Sequence, residues 1–116
     1  MACVRALASE EAAVVVATPE IDEREAVIAE LEEAGRPVLG LHTDVTDEDS
    51  VAQMAAATLE RFGHIDILVN NAGIIGPTSP VVELAREEWD EVIAVNLTGP
   101  CLCCRAVLPA MIERQS

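Results

Sequence analysis

The chain predicts an α/β fold built on a parallel, doubly wound sheet. Short β-branched apolar runs such as Ala12 to Ala17 (AAVVVA) have the composition of strands covered on both faces. Stretches with apolar residues at helical spacing separate these runs. Glycine or proline punctuates the ends of those stretches, at Gly35, Pro37 and Gly63. Strands alternating with helices in this way mean βαβ units, and right-handed crossovers place helices on both faces.

In chain order, Met1 to Glu10 reads as a helix feeding the Ala12–Ala17 strand. Asp22 opens the next helix, with Glu25 completing a capping box and Val27, Ile28 and Leu31 on the inner face. Val38 to His42 is a second strand. Thr46 caps a helix whose positive first turn holds Asp47, Glu48 and Asp49, and whose stripe is Val51, Met54, Ala55, Thr58 and Phe62. Ile65 to Val69 is a third strand. A loop with Gly76, Pro77 and Pro80 leads to a helix over about Arg86 to Val95. Thr98 caps the last helix, in which Pro100 fits the first turn and Pro109 introduces a kink. Trp89 reads as core, and Asn70 as a brace for the sheet.

A chain of 116 residues with 51% hydrophobic content is one domain, able to bury roughly two thirds of its unfolded surface. Its core is aliphatic, because Phe62 and Trp89 are its only aromatic residues. The 21 acids outnumber seven bases, all arginine, giving a formal charge of −14. That field repels phosphate backbones and anionic lipids, which argues against nucleic-acid and membrane partners. No apolar run approaches the roughly 20 residues that span a bilayer. A cytoplasmic protein is the expectation. Cys101, Cys103 and Cys104 are too closely spaced for a zinc knuckle, and no histidine is near, so no metal is expected and the thiols read as buried and reduced. His42 and His64 read as solvent-facing or locally bonded.

The most informative stretch is Asp66-Ile67-Leu68-Val69-Asn70-Asn71-Ala72-Gly73. An apolar strand runs directly into two amides, an alanine and a glycine. Amides there can bond a ligand or a neighbouring strand, and the small residues allow a sugar or a backbone to come close. Together with Val95-Asn96-Leu97-Thr98-Gly99, this segment resembles the short-chain dehydrogenase/reductase family, and the whole chain aligns with the amino-terminal half of such proteins. The resemblance implies an incomplete Rossmann-like sheet of about three strands. The family's opening strand and glycine-rich phosphate turn would lie ahead of Met1, and its catalytic serine, tyrosine and lysine beyond Ser116. The chain contains no tyrosine and no lysine, and all its glycines fall at Gly35 or later.

Residue by residue, the resemblance implies a partial dinucleotide-binding domain over residues 1–116. Asp44 and Val45 would clamp the adenine, the carboxylate accepting from the amine and the Val45 N–H donating to the ring. Without the resemblance, Asp44 is an ordinary acid in the turn before a helix. Asn71, Ala72 and Gly73 would pass the adenine-side ribose. Asn96 matches the asparagine of the catalytic tetrad, of which the helix-junction role alone can survive here. Thr18 stands at the position that selects NAD or NADP, and being uncharged it leaves that choice open. Two readings follow: a fragment of a nicotinamide-dependent oxidoreductase of alcohols or ketones, inactive alone, or a non-catalytic remnant that binds nucleotide weakly or packs against a related subunit. Self-association through exposed strand edges, or through the Leu102/Val107/Met111 face of the last helix, is the expected interaction.

Overall fold

The computed structural model describes residues 2–76 and 79–115. Helix α1 (Ala2–Ser9) leads through Glu11, whose φ is 67°, into strand β1 (Val14–Ala17). Helix α2 (Ile21–Glu33) crosses to β2 (Val38–Leu41), which pairs with β1 in parallel, Val14 opposite Val38 and Ala17 opposite Leu41. This is one βαβ unit, as the alternating pattern requires. The capping box expected at Asp22 does not form. The N-cap is Glu20, with no side-chain bond, and Asp22 lies inside the helix, where its charge faces the positive end of the dipole.

Helix α3 (Glu48–Phe62) has its N-cap one residue later than the Thr46 that the sequence reading placed there. Asp47 is the N-cap, its carboxylate accepting from the Asp49 and Ser50 N–H groups. Thr46 is turned back instead, donating to Asp44 through its backbone N–H and its hydroxyl. Gly63 closes α3 at φ 81°, a left-handed conformation that costs a residue with a Cβ.

Residues 65–69 are the main departure. They carry the strand pattern and pair with nothing. The sheet has two strands only, and among the described residues no backbone–backbone hydrogen bond involves residues 64–73. A strand is defined by its neighbour, and the neighbour is not β1. Ile65 is nonetheless buried, packed with Ala55, Val107 and Met111, while Ile67 and Val69 are 66% and 48% exposed.

The last third of the chain is one helical rod. A single 3₁₀ turn (Val81–Glu83) precedes α4 (Arg86–Ile93), which passes through a π-helical turn at Ala94–Thr98 into α5 (Gly99–Arg114). Pro77, expected in the preceding loop, lies outside the described residues. Thr98 has helical angles (φ −66°, ψ −41°) and makes no cap bond, so the expected break between two helices is absent. Pro100 has no N–H for the Asn96 carbonyl, and the wider π turn, with Gly99 N–H on Ala94 O, accommodates that missing bond. Gly99 has a steric reason too: a Cβ there would stand 2.8 Å from Val45 Cγ2. The joined helix Arg86–Arg114 is 29 residues long with mean hydropathy 1.5, enough in length and composition to cross a membrane. The sequence reading found no such run because Asn96, Thr98, Pro100 and Arg105 interrupt the apolar residues.

Two layers of core result. Val14, Val16, Val27, Leu31 and Val38 pack the sheet against α2, with Ala8 of α1 closing the edge. On the other side α3 meets α5 through Val51, Met54 and Cys103, with Leu41 and Val45 linking this cluster to β2. Val107 and Met111 are buried against α3 and Leu102 is partly buried, so that face of α5 is interior, and the outward apolar face is Leu97, Leu108 and Ile112. Trp89, expected in the core, is 54% exposed on α4, and Val81 and Val82 are almost wholly exposed. Of the cysteines only Cys103 is buried, and burial pushes its thiol pKa up; Cys3 and Cys101 are exposed. Asn70 braces no sheet but points Nδ2 at Cys104 Sγ, 3.6 Å away.

The result is loosely built. Its radius of gyration is 15.8 Å, against about 13 Å for a compact domain of this length. A two-stranded sheet is marginal by itself, and native stability is only about 5–15 kcal/mol even for a complete domain. The isolated chain is therefore expected to melt broadly. Differential scanning calorimetry should show a transition well below the roughly 80 kcal/mol of a cooperative domain of this size. A sharp transition of a monodisperse monomer with that full enthalpy would contradict the expectation.

Candidate functional site

The carboxyl ends of β1, β2 and the 65–69 segment carry the residues that the sequence singles out. A cavity of about 690 Å³ runs between β1 and residues 65–69, and Thr18, Val45, Asn70, Asn71 and Ala72 stand along it. In open parallel sheets ligands bind beyond the carboxyl ends of strands, where loops and helix starts converge.

Asp44 follows β2 in a tight turn. Its Oδ1 accepts from the Thr46 N–H at 2.9 Å and from the Thr46 hydroxyl at 2.6 Å, and its own N–H donates to Ser50 Oγ at 3.0 Å. The hydroxyl bond, then the backbone bond, hold the exposed Asp44 carboxyl below its ordinary pKa, and nearby His42 adds a smaller pull. Both bonds fall on Oδ1, so Oδ2 is left facing solvent as an acceptor. Val45 turns its side chain inward against Gly99 while its N–H makes no backbone bond among the described residues. A fixed carboxylate next to an open N–H is one acceptor and one donor at adjacent positions.

Asn71, Ala72 and Gly73 are exposed and belong to no regular element. The loop after them is held by Asn96. Its Oδ1 accepts from the Ile74 N–H at 2.8 Å and its Nδ2 donates to the Ile74 carbonyl at 2.8 Å, so a side-chain amide replaces a strand partner for one residue. Gly73 lies under the same amide, where a Cβ would stand 3.4 Å from Asn96 Oδ1. Asn96 sits within the π turn that joins α4 to α5. It ties the helix to the loop.

Thr18 ends β1. Its hydroxyl accepts from the Glu20 N–H, and its carbonyl accepts from Arg24 Nη1 at 2.6 Å. Arg24 was not singled out by sequence reasoning, though a signal existed: a cation in the first turn of a helix opposes the dipole and asks for a reason. Ser50 was missed as well, since its contact depends on the turn geometry before α3.

The donors and acceptors present fit the adenosine half of a dinucleotide: Asp44 Oδ2 and the Val45 N–H for the base, and uncrowded backbone at Asn71–Gly73 for the sugar. Nothing in the sequence fits the pyrophosphate, because no glycine precedes Gly35.

Comparison with known proteins identifies the family. The family model described as short chain dehydrogenase matches residues 1–116. An uncharacterized oxidoreductase of Thermotoga maritima is 46% identical over 101 residues, covering 85% of this chain and 39% of that protein. A 3beta-hydroxysteroid dehydrogenase of Mediterraneibacter gnavus is 40% identical over 105 residues, covering 90% of this chain and 38% of its own length. Among solved structures, a metagenomic short-chain oxidoreductase in complex with NADP superposes with a TM-score of 0.92 at 37% identity, over 98% of this chain and 52% of that one. The chain belongs to the short-chain dehydrogenase family, whose solved members are Rossmann folds. It spans about two fifths of the length of the curated relatives it matches.

Two outcomes test the site geometry. Asn96→Leu removes both bonds to Ile74, each worth about 1 kcal/mol, so hydrogen exchange at the Ile74 amide should accelerate several-fold or more while the α2 amides stay unchanged. Unaltered exchange at Ile74 would show that the loop is held by something else. Thr46→Val keeps the backbone bond but removes the stronger hydroxyl bond, so the Asp44 pKa should rise toward its usual value. A depressed carboxylate contributes stability above its unfolded pKa and loses it as pH falls through the folded value, so in the wild-type chain the turn should loosen only in strong acid. Carboxyl carbon NMR titration of both proteins reads this directly, and identical Asp44 midpoints would refute the assignment.

Proposed function

We propose that this chain is the adenosine-binding portion of a nicotinamide-dependent oxidoreductase acting on alcohols or ketones, a partial dinucleotide-binding domain that is inactive by itself. The observation that carries the proposal is Asp44: a carboxylate locked by Thr46, with one oxygen open, beside the free N–H of Val45. Asp44 accepts from the adenine amine, the Val45 N–H donates to the ring, and Asn71-Ala72-Gly73 passes the adjoining ribose. Asn96 positions the loop at Ile74 and moves no proton, since the chain has neither tyrosine nor lysine to relay to. A bound nicotinamide ring would accept or donate the hydride; this chain holds no group for that end of the cofactor.

NAD and NADP remain alternatives. Thr18 is uncharged, while the Arg24 guanidinium at the same strand end supplies a cation of the kind that suits a 2′-phosphate. Whether that group can release the Thr18 carbonyl decides the preference. A cytoplasmic location accords with the four free cysteines, which an oxidising compartment would tend to pair. The charge of −14 disfavours nucleic acid and anionic membranes as partners. Copies of the chain associate through the free strand edges or through the outward Leu97, Leu108 and Ile112 face of the joined helix. The second reading, a remnant packed against a related subunit, is favoured by that same exposed apolar face.

Calorimetric titration of the purified chain with NAD⁺, NADH, NADP⁺ and NADPH tests the proposal. A contact to a charged group is worth roughly 1.5–3 kcal/mol, and without the pyrophosphate contacts affinity should be millimolar or weaker. An absorbance assay for reduced nicotinamide should show no turnover of any alcohol. Binding at micromolar strength that survives Asp44→Ala would overturn the assignment of that residue. Turnover would overturn the reading of an inactive chain.

A further inference from the structure

The last helix carries Cys101, Cys103 and Cys104, and the fold treats them differently. Cys103 is buried against Val51 and Met54, and that burial, which pushes its thiol pKa up, makes it an inert core side chain. Cys101 is exposed and Cys104 half-buried, and neither belongs to a core cluster among the described residues. The two stand three residues apart on α5, hence on one side of the helix. Cys104 Sγ also accepts from Asn70 Nδ2 at 3.6 Å. Asn70 lines the cavity and directly precedes Asn71 of the candidate site. A pair of accessible thiols is thus joined by one bond to the edge of that site.

We propose that Cys101 and Cys104 are a reversible redox pair, which a low-molecular-weight disulfide of the glutathione type oxidises to an intrahelical disulfide, releasing Asn70. The exposed Cys101 loses its proton and attacks one sulfur of the oxidant, forming a mixed disulfide and expelling the other sulfur as a thiol. Cys104 then attacks the Cys101 sulfur, the mixed disulfide breaks, and the second thiol leaves with the Cys104 proton. Two protein thiols are oxidised and one small disulfide is reduced to two thiols. On an α-helix, Cβ atoms three apart stand about 5–6 Å from each other, whereas a disulfide needs about 3.5–4.5 Å. Tightening one turn from α to 3₁₀ eclipses residues i and i+3 and closes that difference. The helix is least constrained here, because Pro100 has no N–H and the preceding turn is π-helical. Sγ of Cys104 swings toward Cys101 and leaves the Asn70 amide without its acceptor. Leu97, Leu108 and Ile112 take no part, so the pairing stands beside the association proposed above. It is also independent of cofactor binding.

The test equilibrates the full chain, in dilute solution, with mixtures of reduced and oxidised glutathione, then blocks free thiols and maps disulfides by mass spectrometry. Oxidation should give a Cys101–Cys104 bond within one copy, reversed by excess reduced glutathione, while Cys103 is blocked about tenfold or more slowly than Cys101 until urea is added. Cys104→Ser should hold the mixed disulfide at Cys101, and Cys101→Ser should abolish the pairing. In the isotope-labelled chain, oxidation should shift the Asn70 side-chain amide resonances, with no such shift in Cys101→Ser. A wild-type chain that keeps a mixed disulfide at Cys101 beside a free Cys104 would overturn the proposal. So would bonds that include Cys103, bonds between Cys101 of two copies, or Asn70 resonances that do not move.

Discussion

A buried strand has two edges, and each must find hydrogen-bond partners; the structure is organised around a strand that has found one. β1 is made of three valines and an alanine, buried by α1 and α2, and bonded to β2 along one side only. Its other side opens on the cavity, across which lie residues 65–69, without backbone partners among the described residues. An unsatisfied N–H or C=O away from water costs about as much as a hydrogen bond is worth. The cavity therefore has to be wet, filled or closed by movement. Most of the looser features follow from this: the large radius of gyration, the exposed Ile67 and Val69, and the division of the core into a β1–β2 layer and an α3–α5 layer joined through Leu41 and Val45.

The candidate site survives this defect because it is built from turns rather than from the sheet. Asp44 is fixed by Thr46 and Ser50, close in sequence, and Asn96 grips Ile74 with its own amide in place of a strand. Local bonds of this kind need little from the global fold. The pyrophosphate end of a dinucleotide site is different, since it needs a glycine turn at the start of a helix, which this sequence does not supply.

Elements set by local chemistry were legible in the sequence. β1, β2 and the glycine stop of α3 lie where composition places them, because a continuous apolar run and a left-handed Gly63 need no distant information. The competition between Thr46 and Asp47 for the cap of α3 was not legible, since both can cap and only the Asp44 turn decides. Thr98 looked like a cap and is helical, because Pro100 is absorbed by a π turn that no propensity anticipates. Ile65–Val69 shows the limit most plainly: its sequence has every property of a strand, and strand formation depends on a partner that the run itself cannot specify. Trp89 stands outside the core for a related reason, since the face of α4 that carries it meets no other described element closely enough to cover it. At the candidate site, Asp44, Val45 and Asn71–Gly73 were singled out through the resemblance, whereas the contact of Ser50 with the Asp44 N–H required the geometry.

The central claim is that β1 and residues 65–69 face each other without pairing. The most direct measurement is a set of cross-strand nuclear Overhauser contacts in the isotope-labelled chain. The account predicts backbone contacts between Val15 and Leu39, which are in register, and none between Val14–Val16 and Ile67–Val69. Backbone contacts between those two segments would show that the sheet closes on itself, and would contradict the account.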